Sequence, residues 1–315
     1  MTIRHAKKED IPQIIKLLKI SLGESLMPKS IDYWQWKHIF NPFGESPVLL
    51  AFDNDVVIGV RAFMNWSWFK AEHSLSSIRP VDTATHPDYQ GKGIFKKLTL
   101  QLLKESEKEG KEIVFNTPNS SSKPGYLKMG WKEVGKLPVK VSFKKPIKII
   151  KSKLSTSNKT EFVELKVGIC PVDEVIDKWP NKAVISDSIW KSEHTRQSIL
   201  WRYNDIPVIK YYGSGDENAG VIFRLKRTGL GTELRICDHH GDRSDVAYLL
   251  KDIYSGLDFD YMTISGFSRV RIPGFFKKHL NIGPEVTVRL LSNNNSLGFY
   301  NFEKWKPSLG DLEVF

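Results

Sequence analysis

HPDYQGKGIFKKLTLQLLKESEKEG, residues 86–110, sets a turn with two closely spaced glycines directly before a long amphipathic helix. Within it, Gln90, Gly91, Lys92, Gly93 and Ile94 lie between a strand, IRPVDTAT (78–85), and that helix. Glycines let the backbone curl until several N–H groups converge, and the helix dipole adds positive potential at the same spot. A turn of this kind is fit to hold a pyrophosphate. Two common nucleotide turns do not match. The dinucleotide fingerprint follows the first strand of a βαβ unit, whereas this turn follows about four strands, and the P-loop pattern is absent.

Working outward, the first half reads as alternating elements. TIRHA is a short strand, and KKEDIPQIIKLLKISL has apolar residues at helical spacing. SIDYWQWKHIF is a second helix, ended by Asn41-Pro42. SPVLLAFDNDVVIGVRAFMNWSWF is two strands around the turn Asp53-Asn54-Asp55. After the quoted segment come a buried strand, KEIVFNT, a short helix, SSKPGYLKMG, and WKEVGKLPVKVSF, expected to close as a hairpin. The order of elements implies an α/β (α+β) unit with a mixed sheet.

The second half repeats the theme. WKHIFNP (36–42) matches WRYNDIP (201–207), RPVDTAT (79–85) matches LRICDHH (234–240), and KPGYLK (123–128) matches IPGFFK (272–277), in the same order. Three ordered matches imply an internal duplication. The expected division is 1–145, a basic linker at 146–160, and 161–315.

With 315 residues, 40% of them hydrophobic, the chain has enough material for two cored domains of a soluble protein. It lacks a long apolar run and an apolar leader, so no membrane span is expected and the cytoplasm is the default location. Two cysteines make no disulfide framework. The net charge of +11 favours anionic partners, and much of it lies in KKPIKIIKSKLSTSNKTE (144–161). That stretch reads as a solvated linker ahead of a membrane or nucleic-acid contact, and no nucleic-acid partner is expected.

His86 to Ile94 resembles the acyl-CoA pyrophosphate loop of the GNAT superfamily of N-acetyltransferases, [QR]-x-x-G-x-[GA], with Gln90 and Gly93 in register. Phe95 departs from the small residue usual at the last position. Asn119, Tyr126 and Gly130-Trp131 resemble a second segment of the same superfamily, and the likeness covers about residues 1–145. It implies two tandem GNAT-like domains, each a mixed, mostly antiparallel sheet flanked by helices. The first would be catalytic and the second degenerate, forming part of the acceptor site. It implies acyl-CoA as co-substrate (acetyl-CoA or a short hydroxyacyl-CoA), with Gln90 to Ile94 on the pyrophosphate, Thr83, Ala84 and Thr85 lending backbone to pantetheine, and Asn119 in the cofactor set.

The residue at the Tyr126 position serves as general acid in this superfamily, since a hydroxyl can protonate a departing thiolate. Packing the helix on the sheet is the alternative role. Asp82 is the best-placed carboxylate for a general base, against a turn or salt-bridge role. His86 shapes the turn or titrates, and a water chain can replace a dedicated base.

In the second half, Phe275 stands opposite Tyr126 and HHGDRSD (239–245) opposite the glycine turn, so a single active site is expected. His239 and His240 are expected to face the acceptor, with Trp34 as a stacking surface, although most of the nine tryptophans should be core. Cys237-Asp238-His239-His240 makes an unsuitable tetrahedral set, so no metal is expected. The acceptor is expected to be a small-molecule amine. Likeness to two-domain members points to an amino sugar carried on a nucleotide. The alternatives are a Fem-type enzyme using aminoacyl-tRNA and a non-catalytic acyl-CoA-binding protein.

Overall fold

The computed structural model describes the chain except residues 25, 154–159, 167–169, 181–188, 292–297 and 314–315, and gives backbone alone for 152–153 and 275–279. Strand β1 (Thr2–His5) leads into helix α1 (Ile11–Leu22), and α2 (Ile31–His38) follows, its first turn capped by Ser30 Oγ accepting from the Tyr33 amide at 3.1 Å. Next come β2 (Val48–Asp53), β3 (Val56–Lys70) and β4 (His73–Thr85), then α3 (Ile94–Lys108) and β5 (Ile113–Asn116). Asn54, at φ +50°, makes the tight turn expected between β2 and β3. Helix α4 (Lys123–Lys128), β6 (Lys132–Lys136), β7 (Val139–Phe143), α5 (Pro146–Lys153) and β8 (Glu161–Val163) complete the middle of the chain.

The second half runs α6 (Val172–Asp177), β9 (Lys191–Ser192), α7 (Arg196–Tyr203), β10 (Tyr212–Gly215), β11 (Gly220–Thr228) and β12 (Gly231–His240). It ends with α8 (Arg243–Gly256), β13 (Tyr261–Ser265), β14 (Phe275–Leu280) and β15 (Glu285–Leu290).

Two mixed sheets result, as the tandem reading requires. One has the order β1-β2-β3-β4-β5-β15-β6, with β9 added on β3; the other has β10-β11-β12-β13-β7-β14, with β8 added on β11. In each sheet a parallel pair, β4 with β5 and β12 with β13, interrupts otherwise antiparallel neighbours. Helices cover both faces of the first sheet. Ile11, Ile14 and Ile15 of α1 pack on Leu50, Val60 and Ala62, while Ile94, Leu98 and Leu102 of α3 pack on Leu49, Ala51 and Ile58. This two-sided burial explains why β2 and β3 read as apolar runs without alternation. At Gly59 an added Cβ would sit 2.6 Å from Ile94 Cγ2, so α3 lies this close to the sheet only because the strand has no side chain there.

Three expectations need correction. The segment 131–143 does not close as a hairpin, because β6 stays in the first sheet while β7 crosses to pair with β13 and β14 of the second. In exchange, β15 of the second half enters the first sheet between β5 and β6. The expected division near residue 145 therefore does not coincide with a sheet boundary. The match of 272–277 to 123–128 also fails beyond sequence. Residues 123–128 form α4, whereas Phe275 begins β14, because the crossing strand β7 offers it an edge to pair with. The Phe275 side chain lies outside the described residues. Finally, the first part of the supposed linker is helix α5, which buries Ile149 and leaves Ile147 and Ile150 exposed; residues 154–159 of it lie outside the described residues.

The first two repeat matches are structural. Thr195 Oγ1 caps α7 through the Ser198 amide at 3.1 Å, as Ser30 caps α2. Trp36 Nε1 donates to the Trp201 carbonyl at 2.7 Å, Trp201 Nε1 donates to the Trp36 carbonyl at 2.8 Å, and the two rings stack at 4.8 Å. Each bulged strand pair also leaves one residue unmatched, Asp82 opposite Arg61-Ala62 and Cys237 opposite Ile222-Phe223, which are aligned positions in RPVDTAT and LRICDHH. Trp66, Trp68, Phe115, Phe299 and Trp305 extend the shared core. Trp201→Ala is expected to destabilise the whole chain by about 3–5 kcal/mol. Urea unfolding followed by tryptophan fluorescence and by circular dichroism should show both signals shifting together. Separate transitions would mean that the halves unfold independently.

Candidate active site

The parallel ladder between β4 and β5 is short, with Ser77 opposite Ile113 and Ile78 opposite Val114. Beyond it the strands splay, and no described strand pairs with residues 79–85 on that side. A cavity of about 1020 Å³ opens in the gap. Thr83, Ala84 and Thr85 line it, so the strand edge there has backbone groups available to an extended amide-bearing ligand.

At one end lie Gln90, Gly91, Gly93 and Ile94. Gly91 and Gly93 have φ of +75° and +76°, and a Cβ at either would meet nothing within 4 Å. The glycines are there for backbone conformation, and the space over them is open. Gly93 is the N-cap of α3, whose first turn has no acidic residue. The leading amides of a helix have no intrahelical acceptor, so this end offers N–H groups and dipole to an anion. Lys92 turns its ammonium over the Tyr89 ring at 4.5 Å and does not line the cavity. His86 caps the short 3-10 turn Pro87–Tyr89, its ring accepting from the Asp88 amide, and does not line the cavity either.

Tyr126, on α4, lines the cavity with its ring 5.5 Å from Phe95 and 5.1 Å from Trp131. The Arg61 guanidinium, fully buried, lies 5.3 Å from the same ring, and its Nη1 donates to Thr83 Oγ1. Phe95, the departure from the usual small residue, therefore packs Tyr126 in place without blocking the glycine turn. Asn119 lines the cavity, but its Oδ1 accepts from the Ser122 amide at 2.8 Å and so shapes the entry to α4.

Asp82 does not have the character of a free base. At φ +43° on the bulge, it accepts from Lys37 Nζ at 2.7 Å and from His38 Nε2 at 2.8 Å. Burial alone would raise its carboxyl, but the charge of Lys37 and the His38 hydrogen bond outweigh that and hold it far below the usual carboxylate range. Burial lowers the His38 imidazole despite Asp82, so the ring is neutral at pH 7 and donates its Nε2 proton. A carboxylate held this low is a weak proton acceptor, which favours the salt-bridge reading. Its folded pKa lies below the unfolded one, so its contribution to stability is present above the ordinary aspartate pKa and is lost as pH falls through the folded value. Asp82→Asn leaves Lys37 buried without a counter-charge. The expected cost is about 3–5 kcal/mol, with much of the loss of stability below about pH 4 removed in the variant. Urea midpoints measured across acid pH check both.

Trp34, only 4% exposed, borders the cavity and packs on His38 with ring centroids 4.0 Å apart. Ile15, Leu18, Leu22, Met27 and Tyr33 make the same wall apolar. The second half contributes Pro284 and Glu285 of the β15 region; Glu285 accepts from Lys123 Nζ at 2.6 Å. His239 and His240 are elsewhere, in a second cavity that shares no lining residue with the first. They ride on β12, the counterpart of β4 in the other sheet, so the tandem plan itself carries them away from Tyr126.

Sequence reasoning missed Lys37, His38, Arg61 and Arg79, all buried polar residues at the splay. Arg79 donates to the carbonyls of Asp311, Leu312 and Glu313, and burial together with the charge of Arg202 brings it down to about 9. The available signal was the Trp-Lys-His run on α2, two polar residues next to a core tryptophan.

This arrangement of splayed strands and glycine turn has relatives. Residues 2–134 match the acetyltransferase (GNAT) domain family. The L-amino acid N-acyltransferase MnaT of Escherichia coli (strain K12) is 30% identical over 100 residues, 29% of this chain and 54% of that protein. The chain thus spans about half the length of the curated relative it matches. A GCN5-related N-acetyltransferase from Anabaena variabilis superposes with TM-score 0.63 at 15% identity, over 92% of this chain and 73% of that one. Eis1 from Mycobacterium abscessus gives 0.58 at 11% identity, over 94% and 75% of the respective chains. At these identities the structures attest the fold, a tandem pair of GNAT-like sheets. No described helix is long and apolar enough to cross a membrane.

Proposed function

We propose that the protein moves an acyl group from acyl-CoA to a primary amine, with one active site in the first half. The observation that carries this is the single cavity joining the open glycine turn at the start of α3, the unpaired edge of β4 and the Tyr126 ring. Acyl-CoA supplies an activated thioester. The α3 amides hold its pyrophosphate, the 83–85 edge holds its amides, and Tyr126 gives a proton to the departing sulfur as the amine nitrogen bonds to the acyl carbon. Asp82, paired with Lys37 and His38, fixes the floor beside the reacting groups, and water carries the amine's proton away.

The acceptor, by the same reading, presents an apolar or planar body to Trp34, Leu18 and Met27. Both an amino acid and a nucleotide-linked amino sugar meet that description, the first being the acceptor in MnaT's name. The second half completes this wall through Pro284 and Glu285. Calorimetric titration with CoA and acetyl-CoA is the first test, with saturation expected at one equivalent per chain. Thiol release with each acceptor class then ranks the two. Absence of CoA binding would end the acyltransferase reading.

A further inference from the structure

The second sheet splays as the first does. Its parallel ladder ends at Arg235 opposite Thr263, and a cavity of about 530 Å³ opens between the strand ends that follow, 236–241 and 264–270. The two cavities therefore occupy equivalent places in the two repeats. What lines the second is different. On its floor, Asp238 and Asp311 are already engaged. Asp238 accepts from Tyr203 Oη, while Asp311 accepts from Arg202 at 3.2 Å and faces His194 Nε2 at 3.5 Å.

Around the opening lie Lys191, Lys306, Arg243 and Arg269, none of which makes an ion pair with a described residue. The charge of Lys306 bears on Lys191, and Lys191 in turn helps burial to press the His239 imidazole down to about 4. His239 Nε2 meets Ser268 Oγ at 3.0 Å, while its Nδ1 is buried with no hydrogen-bond partner. Cations gathered at a cavity whose carboxylates, Asp238 and Asp311, are taken up by other partners, with an unanswered buried nitrogen beside them, are the environment of an anion site. Phe69, Trp179 and Phe267 supply flat apolar surface in the same cavity, and its volume falls in the range of ordinary small-molecule pockets.

We infer that this second splay is a binding site for a small oxyanion-bearing ligand with a planar body, the oxyanion held by Lys191, Lys306 and His239. It is separate from the acyl-CoA cavity and goes beyond the function proposed there. The duplicated unit has kept the strand opening and exchanged the glycine turn for side-chain cations.

The test is titration of the full chain with adenosine monophosphate, adenosine and salicylate, read by calorimetry. These probes separate a phosphate from a carboxylate and either from the planar body alone. We expect adenosine monophosphate or salicylate to bind, with adenosine at least about tenfold weaker than its phosphate. The double variant Lys191→Met/Lys306→Met should lose at least about tenfold in that affinity, while its melting temperature and CoA binding stay unchanged. Gly93→Asp, which disables the first cavity only, should leave the affinity as it is. Binding that disappears in Gly93→Asp but survives in the double variant would place the ligand in the first cavity and overturn the inference. So would the absence of binding by both anions at millimolar concentration.

Discussion

Gly93→Asp is expected to abolish acyl-CoA binding while leaving the protein folded. Gly93 sits at φ +76° with nothing within 4 Å of an added Cβ, so the branch point of the new side chain meets no neighbour. Aspartate is among the few residues that tolerate the left-handed region, which limits the backbone penalty. An acid at a helix N-terminus also stabilises the helix slightly. The loss must therefore come from charge. A carboxylate about 4 Å from one phosphate charge costs about 4 kcal/mol at an effective dielectric near 20, close to a thousandfold in affinity. Gly93→Ala is the control, because it adds the same Cβ with no charge; its expected loss is tenfold or so. Calorimetry on both variants, with thermal melts alongside, separates the terms. Equal losses in the two would mean that turn conformation, and not anion recognition, sets the affinity.

That prediction was open to sequence reasoning because its cause is local. A glycine pair before an amphipathic helix fixes backbone conformation, exposed amides and dipole without reference to the rest of the chain. The repeat was legible for the same reason in α2 and α7, whose tryptophans, caps and bulged partner strands all recur. Failure came wherever a distant strand decided the outcome. LPVKVSF (137–143) reads as the second arm of a hairpin, and nothing in residues 139–143 says that their partners are Tyr261–Ser265 and Phe275–Leu280. The same exchange turned 275–280 into a strand where repetition suggested a helix.

The site residues divide in the same way. The loop and Tyr126 carry a spacing signature. Asp82 does not reveal from its own surroundings in sequence that Lys37 and His38, more than forty positions earlier, meet its carboxylate. His239 and His240 were misplaced through a correct observation: they do stand at the strand end equivalent to that of Ala84 and Thr85. Equivalent places in a tandem fold are separate places, and the two splays open into different cavities.

Tyr126→Phe should lower kcat by about two to four orders of magnitude, the span expected for one general acid, with CoA affinity nearly unchanged. The ring contacts to Phe95 and Trp131 belong to the aromatic body, which phenylalanine retains, while the buried Arg61 guanidinium, 5.3 Å from the ring, loses the hydroxyl as a hydrogen-bond and charge partner. Only the hydroxyl is removed, so packing of α4 against the sheet should survive and the melting temperature should move little. If the hydroxyl protonates the leaving sulfur, its importance depends on how basic that sulfur is. An acyl donor with a more acidic thiol needs the proton less, so the defect in the variant should shrink with such a donor. A purely structural tyrosine would lower turnover of both donors by the same factor. Pre-steady-state release of thiol from the two donors, in the parent and in Tyr126→Phe, reads that difference directly. A constant ratio would remove Tyr126 from the proton path and leave a water in the splay as the donor to be found.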